Sequence, residues 1–422
     1  MLRASFILIL FLSIPLVNAQ DKKAVKRAEK YAKKGAKSIE KKDFEASLEW
    51  YTFAINEDPS IDAYYNRKGW VNTMLKNDSA AIADYSAGIK RNPSTTQCHL
   101  YRGLVFKNVG LFQAAYDDFS KHANIHGETR QTLECKVNAL LFLKAYDEAI
   151  PYLDQLITIV PKIEYKYIQR ALCLIETNQL EAAKLDLNTV TDKFNQLFTP
   201  YYYVEGLWYL RKKDFKNSIN AFNKLMSNAG GGAYGPDNYW YLSNAFHGNG
   251  QLDSAIIQIN KAIALQEKPE YFLDRGNYYA ELGDLDKALI DYSKTIELDS
   301  TITGAYNNRT FYIWFTQKEY QNAVQDLTQV INLDPDNAFA YSNRSYAYYG
   351  LKDFEHAFID AFKSVELEHR NPYVYKNLAL MYFAIGEEGE AKNAVEGALN
   401  WGFPVDTDPE FQDLLIKLGF TK

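Results

Sequence analysis

The sequence predicts an all-α solenoid built from helix-turn-helix units, and three observations carry that prediction. A small residue recurs at intervals of about 34 through most of the chain: Ser47, Ala81, Ala115, Ala149, Ala183, Ser218, Ala255, Ala288, Ala323, Ala357 and Ala391. Around it, apolar residues fall at i, i+3, i+4 and i+7, the period of a helix with one buried face. Proline closes several periods, at Pro59, Pro93, Pro161 and Pro335, where it disfavours further helix in itself and in the residue before it. A unit of this length cannot bury its own apolar face, so copies stack.

The second copy, Asp62 to Thr95, shows the unit in full. Tyr64 and Tyr65 open a first apolar-periodic run that passes Gly69 and ends at Leu75. Lys76-Asn77-Asp78-Ser79 is a polar break, and a second run carries Ala81, Ile82, Tyr85 and Ile89 before Asn92-Pro93. With Asp62 as position 1, position 8 is glycine at Gly35, Gly69, Gly103, Gly206 and Gly276, and Val137, Ala171, Ser243, Thr310, Ser345 or Ala379 elsewhere. Position 20 is the small series above. Position 24 is large in most copies: Tyr51, Tyr85, Phe119, Leu153, Leu187, Phe222, Ile259, Tyr292 and Leu327. Small residues at 8 and 20 let the two helices of one copy approach closely.

This arrangement (aromatic, a Leu-Gly-like pair, Tyr, then Ala, aromatic, Ala and Pro) resembles the tetratricopeptide repeat, TPR, over roughly Ala28 to Phe403. The resemblance implies a right-handed superhelical solenoid of about eleven units, with the first helices lining a concave groove and positions 2, 5, 9 and 12 facing a ligand. Departures from the pattern are local: His122 stands at a usually small position, copies 5 and 6 lack the terminal proline, and copy 9 has one extra residue between Tyr306 and Tyr341.

Domain boundaries fall at breaks in the period. Residues 1–19 read as a secretory signal: Arg3, an apolar stretch from Phe6 to Val17, and the small-residue site Val17-Asn18-Ala19. Residues 20–192 hold copies 1–5. Residues 193–235 hold copy 6 with two flanking linkers, the second being Gly230-Gly231-Gly232-Ala233-Tyr234-Gly235. That glycine run lacks the Lys-Ser/Thr and the preceding strand of a phosphate loop, and reads as an inter-repeat loop. Residues 236–403 hold copies 7–11. In residues 404–422, Asp408 and Pro409 open a capping helix whose stripe is Phe411, Leu414, Leu415 and Leu418.

Composition narrows the function. The 422 residues are 47% hydrophobic and 24% charged with net charge −6, which is globular composition. The expectation is an exported protein, periplasmic or secreted after cleavage near Ala19, with no membrane span. A net-acidic chain without a nucleic-acid motif is not expected to bind nucleic acid. The basic run from Lys22 to Lys42 reads as the solvated face of a terminal helix rather than a polybasic arm. Cys98, Cys135 and Cys173 fall at different positions of successive copies and read as free thiols. His122 and His126 lie i, i+4 but lack a third ligand, and no serine or cysteine sits in a nucleophile motif. The expectation is no enzyme, no metal and no cofactor, and a protein or peptide as partner. The alternative is a glycan or small solute held by the same aromatic groove; the sequence says nothing of oligomeric state.

Two sets of residues stand out. Arginine at position 7 occurs with aspartate at position 23 of the same copy: Arg102 with Asp118, Arg170 with Asp186, Arg275 with Asp291, Arg309 with Asp326, and Arg344 with Asp360. Copy 2 has Lys68 with Asp84. A guanidinium holds a carboxylate through two parallel hydrogen bonds, so these read as structural ion pairs between the two helices of a copy. The competing reading is that the arginines bind an acidic ligand. The second set follows from the resemblance: groove-facing Tyr203, Trp240, Asn244, His247, Asn277, Asn307, Phe311, Trp314, Tyr346 and Tyr349, with Asn308 and Asn343 alongside. Asparagine both donates and accepts, and suits an extended peptide backbone. The lysines and arginine of the family's carboxylate clamp are absent from copies 8–10, where its two asparagines alone match, at Asn277 and Asn308.

Overall fold

The structure, a computed structural model, describes residues 19–194, 199–228 and 235–420. The expected signal, save Ala19, and the glycine run Gly230–Tyr234 lie outside them. Among the described residues every regular element is helical. The pairs are Ala19–Glu40 with Phe44–Glu57, Asp62–Met74 with Asp78–Arg91, Thr96–Asn108 with Phe112–His126, Arg130–Phe142 with Tyr146–Ile159, and Glu164–Glu176 with Leu180–Lys193. Next come Thr199–Arg211 with Phe215–Asn228, Pro236–Gly248 with Leu252–Leu265, and Pro269–Glu281 with Leu285–Leu298. Copy 9 pairs an interrupted helix from Thr303 to Gln317 with Tyr320–Leu333. Ala338–Gly350 with Phe354–Leu367, and Pro372–Ala384 with Glu388–Asn400, complete the eleven. The chain forms two compact units, 1–204 and 205–422, the division falling inside the first helix of copy 6.

One backbone feature makes each copy turn. A residue one or two past the end of the first helix has positive φ in all eleven: Lys42, Lys76, Gly110, Lys144, Asn178, Lys213, Gly250, Gly283, Lys318, Lys352 and Gly386. A left-handed residue here ends the helix and reverses the chain. Asp43, Asp284 and Asp353 then cap the second helix, each accepting a backbone N–H three residues on.

Position 8 and position 24 form a size-matched pair. A Cβ on Gly35, Gly69, Gly103, Gly206 or Gly276 would stand 2.7–2.9 Å from the ring of Tyr51, Tyr85, Phe119, Phe222 or Tyr292 respectively. Where position 8 has a side chain, position 24 is aliphatic: Val137 with Leu153, Ala171 with Leu187, Ser243 with Ile259, Thr310 with Leu327, Ser345 with Ala361, and Ala379 with Val395. The aromatic ring occupies the space a Cβ would need, as close packing of interiors requires. Serine at position 20 fits because Ser47 and Ser218 donate to the carbonyls of Gly35 and Gly206.

The C-terminal helix, Pro409–Lys417, is capped by Asp408, which accepts from the Phe411 N–H at 2.9 Å. Phe411, Leu414 and Leu418 are buried in one cluster with Leu378, Val395 and Ala398 of copy 11, and Leu415 packs against it. Cys98, Cys135 and Cys173 are free thiols; burial pushes Cys98 up to about 11 and Cys173 up to about 12.

The extra residue of copy 9 forms a π-helical turn, Thr310–Trp314, the usual way a helix absorbs one additional residue. The turn shifts the later residues of that helix by one position. Counting straight on from Arg309 puts Phe311 at position 9 and Trp314 at position 12, facing the groove. In the structure Ile313 is wholly buried as Ala347 is at position 10 of the next copy. Trp314 stacks beside Arg309 at 5.7 Å, as Tyr279 and Tyr348 at position 11 do beside Arg275 and Arg344. Its indole N–H donates to Asp326 Oδ2 at 2.7 Å. Trp314 is therefore removed from the groove set, and Tyr312 takes the position 9 place.

Candidate partner-binding face

Each of the five arginines lies beside the aspartate of its own copy. Arg102, Arg170, Arg275, Arg309 and Arg344 donate through Nε and Nη2 to the two oxygens of Asp118, Asp186, Asp291, Asp326 and Asp360, at 2.6–2.8 Å. The aspartates are nearly buried. Burial alone would raise the Asp118 carboxyl, but hydrogen bonds from Arg102 and His99 hold it below the usual carboxylate value. In copy 2, burial lifts Asp84 above that value because Lys68, 3.2 Å away, and Asn72 compensate less. The acidic-ligand reading of these arginines has no support in this geometry, since each guanidinium fork is already filled by its own carboxylate.

The remaining donor, Nη1, was not legible as a pattern and reaches the preceding copy. It contacts Ser86, Asp154, Asn260, Ser293 and Thr328 at 2.5–3.0 Å. All five are position 25 of the second helix before. The guanidinium thus joins three helices from two consecutive copies.

In the second unit, the first helices of copies 7–9 enclose a polar cleft of about 290 Å³. Asn244, His247, Asp274, Asn277, Asn308 and Tyr312 are among its walls. Asp274, at position 6 of copy 8, was absent from the expected set. The Trp240 indole N–H donates to its Oδ2 at 2.6 Å, and burial lifts its carboxyl above the ordinary value, partly offset by that bond. Tyr278 donates to Asn244 Oδ1 at 2.6 Å, and Asn277 Oδ1 accepts from Tyr292 and from Asn308 Nδ2. His247 stacks on Tyr278 and meets Glu281 through Nε2 at 2.9 Å. Trp240 packs against Tyr241 and Tyr271.

A second recess of about 360 Å³ lies at copies 9–11, with Phe311, Asn343, Tyr346, Lys376 and Asn377 in its wall and Phe403, Pro404 and Asp408 from the C-terminal segment. Phe311 is 65% exposed there. Tyr346 and Tyr349 donate to Glu410 of the C-terminal helix; burial, then the Glu410 charge, pushes the Tyr349 phenol up to about 12. Asn307 is half-buried. Tyr203 belongs to the first unit and is half-buried.

The fold and this face define a repeat solenoid of the kind that presents a binding surface, and the comparisons agree with the repeat. The family described as tetratricopeptide repeat matches residues 269–302, the whole of copy 8. Human (Homo sapiens) DnaJ homolog subfamily C member 7 is 21% identical over 344 residues, covering 74% of this chain and 68% of its own length. DnaJ homolog subfamily C member 3 of Gallus gallus is 23% identical over 336 residues, 76% of this chain and 62% of its own length. Hsp70-Hsp90 organizing protein 2 of Arabidopsis thaliana is 25% identical over 232 residues, 54% and 39% of the two chains. The chain thus spans about two thirds or less of these relatives. Among solved structures, the Cut9 complex with Hcn1 from APC/C is similar with TM-score 0.47 and 13% identity, covering 94% of this chain and 98% of the other. Yeast Tom70 is similar with TM-score 0.41 and 12% identity, at 94% and 96% coverage. Neither likeness bears on function.

Among the described residues no helix is long and apolar enough to cross a membrane, and no group of three or more His, Cys, Asp and Glu is placed to hold a metal ion.

Proposed function

We propose that the chain is a non-enzymatic scaffold that binds a segment of a partner protein on the first-helix face of its second unit. The cleft around Asp274 carries this reading. Asparagine amides there offer donors and acceptors spaced for a peptide backbone. Asp274 is a desolvated carboxylate held by Trp240 and Asn244, with no lysine or arginine on it among the described residues. A basic side chain from the partner is the complementary occupant. A glycan is less well served, since the Trp240 ring is packed against Tyr241 and Tyr271 rather than open for stacking. The names of relatives such as the Hsp70-Hsp90 organizing protein accord with a scaffold role.

The test is a titration of the full chain with extended peptides that differ only in carrying lysine or norleucine at one site. Asp274→Asn and Asn308→Ala should each weaken the lysine peptide about tenfold, a loss of about 1.4 kcal/mol, without lowering the melting temperature. Binding that survives both, yet is lost on Ile290→Asp on an exposed second-helix position, sinks the groove reading.

We also propose export of the mature chain, from the leader-like residues 1–19. Mass spectrometry of the native protein is expected to find Gln20 at the N-terminus; an intact Met1 overturns it.

A further inference from the structure

The C-terminal helix does more than cover apolar surface. Phe411 and Leu414 point into the core of copy 11, while the first turn presents its acids to the first helices of copies 10 and 11. Tyr346 Oη donates to Glu410 Oε2 at 3.0 Å and Tyr349 Oη to Oε1 at 3.4 Å. Lys376 Nζ lies 3.6 Å from the same carboxylate and 3.2 Å from Asp408 Oδ2. That ammonium sits over the Tyr346 ring at 4.1 Å, and its side chain is only 8% exposed.

Two phenols and a desolvated ammonium therefore converge on one carboxylate contributed from a distant part of the chain. Tyr346 and Tyr349 are positions 9 and 12 of copy 10, and Lys376 is position 5 of copy 11. Glu410 is not what holds the helix in place: buried Phe411, Leu414 and Leu418 do that, with the Asp408 cap. The Glu410 side chain is itself 41% exposed, so it can swing out without uncovering the core.

We propose that Tyr346, Tyr349 and Lys376 form a carboxylate site for an acidic segment of a partner protein, and that Glu410 occupies it as an internal ligand which the partner must displace. This rests on the reading of the first-helix face as the binding face. Exchange of one carboxylate for another keeps the same donors satisfied, so departure of Glu410 leaves no buried hydrogen bond unmade while a partner is bound. An internal ligand lowers apparent affinity by the fraction of molecules left open. With the acidic cleft at copies 7–9, the site gives the face opposite charges at its two ends, and a fitting segment is basic at one end and acidic at the other.

The experiment uses the full chain and fluorescein-labelled peptides of equal length, one rich in Asp and Glu and one rich in Lys, read by anisotropy. Glu410→Gln is expected to tighten the acidic peptide about tenfold, the factor for a site about nine-tenths self-occupied. Lys376→Gln or the double change Tyr346→Phe with Tyr349→Phe, made in the Glu410→Gln background, is expected to abolish that gain. The lysine-rich peptide should not respond to Glu410→Gln. Thermal melts confirm that each variant is folded. No tightening in Glu410→Gln, or a gain that persists with Lys376→Gln, overturns the proposal. Asp274→Asn separates the two readings: its failure to weaken the lysine peptide argues against the cleft alone, and the Glu410→Gln gain stands or falls without it.

Discussion

Tyr292 occupies the space that a side chain on Gly276 would need: a Cβ there would lie 2.9 Å from the ring Cε1. Gly276→Ala is expected to cost about 1–3 kcal/mol in overpacking, offset by about 1 kcal/mol of helix propensity, a net loss of about 1 kcal/mol. With Tyr292→Leu, as nature pairs Ala171 with Leu187, the same alanine should instead stabilise. A double-mutant cycle by urea unfolding checks the sign reversal; equal effects in both backgrounds would deny the packing account.

The Arg344 guanidinium makes two bonds within its copy and one to the copy before. Its side chain is 16% exposed and that of Asp360 4%. Asp360→Ala leaves a largely buried guanidinium unpaired and should cost about 3 kcal/mol. Thr328→Ala removes only the third bond and should cost about 0.5–1.5 kcal/mol. Denaturant titration that ranks the two changes the other way contradicts this division of labour.

Copy 2 differs in the sign of its acid response. Asp118 is held below the carboxylate value, so its contribution is present above the unfolded pKa of about 3.9 and is lost as pH falls through the lower folded value. Asp84 is held above that value, so its ionised form costs stability at neutral pH, and the cost disappears as pH falls. Lys68→Arg should bring Asp84 below the unfolded value and raise stability at pH 7 by about 1.5 kcal/mol, the low end for one net hydrogen bond to a charged group. Carboxyl NMR titration and melts at two pH values measure both effects. An Asp84 pKa unmoved by Lys68→Arg would refute the comparison.

Deleting Phe311 should convert the π-turn of copy 9 into regular helix. Phe311 is exposed, and Thr310 Oγ1 is buried without a hydrogen-bond partner among the described residues. Trp314 would keep its bond to Asp326, because it already stands in the register of Tyr348. The deletion is expected to change the melting temperature little or to raise it, with Trp314 fluorescence preserved. A red-shifted, exposed tryptophan would show that the bulge is what seats it.

Copy 9 also marks how far the chain alone can be read. The period, the two helices, the Arg–Asp couples and the Asp408 cap are local patterns, and they are visible as such. The extra residue between Arg309 and Asp326 is visible too, but a bulge and a longer turn give the same count. Only packing of Ile313 and Trp314 decides between them. The arrival of Glu410 at Tyr346 depends on how the chain turns between Trp401 and Asp408, which no periodicity records. Asp274 escaped notice although it shares position 6 with Asn308 and Asn343, because its role comes from Trp240, one copy earlier.

The link from position 7 to position 25 has a consequence for how such a chain grows. Each arginine asks of its predecessor only a short polar side chain at one place, and serine, threonine, asparagine or aspartate all satisfy it. The joint is thus a standard fitting, indifferent to the rest of the neighbour. A copy that carries both halves, as copies 3, 5, 8 and 9 do in Arg102 and Ser120, Arg170 and Asn188, Arg275 and Ser293, and Arg309 and Thr328, brings one to each end, so its duplication lengthens the array by a whole period without redesign of the junction.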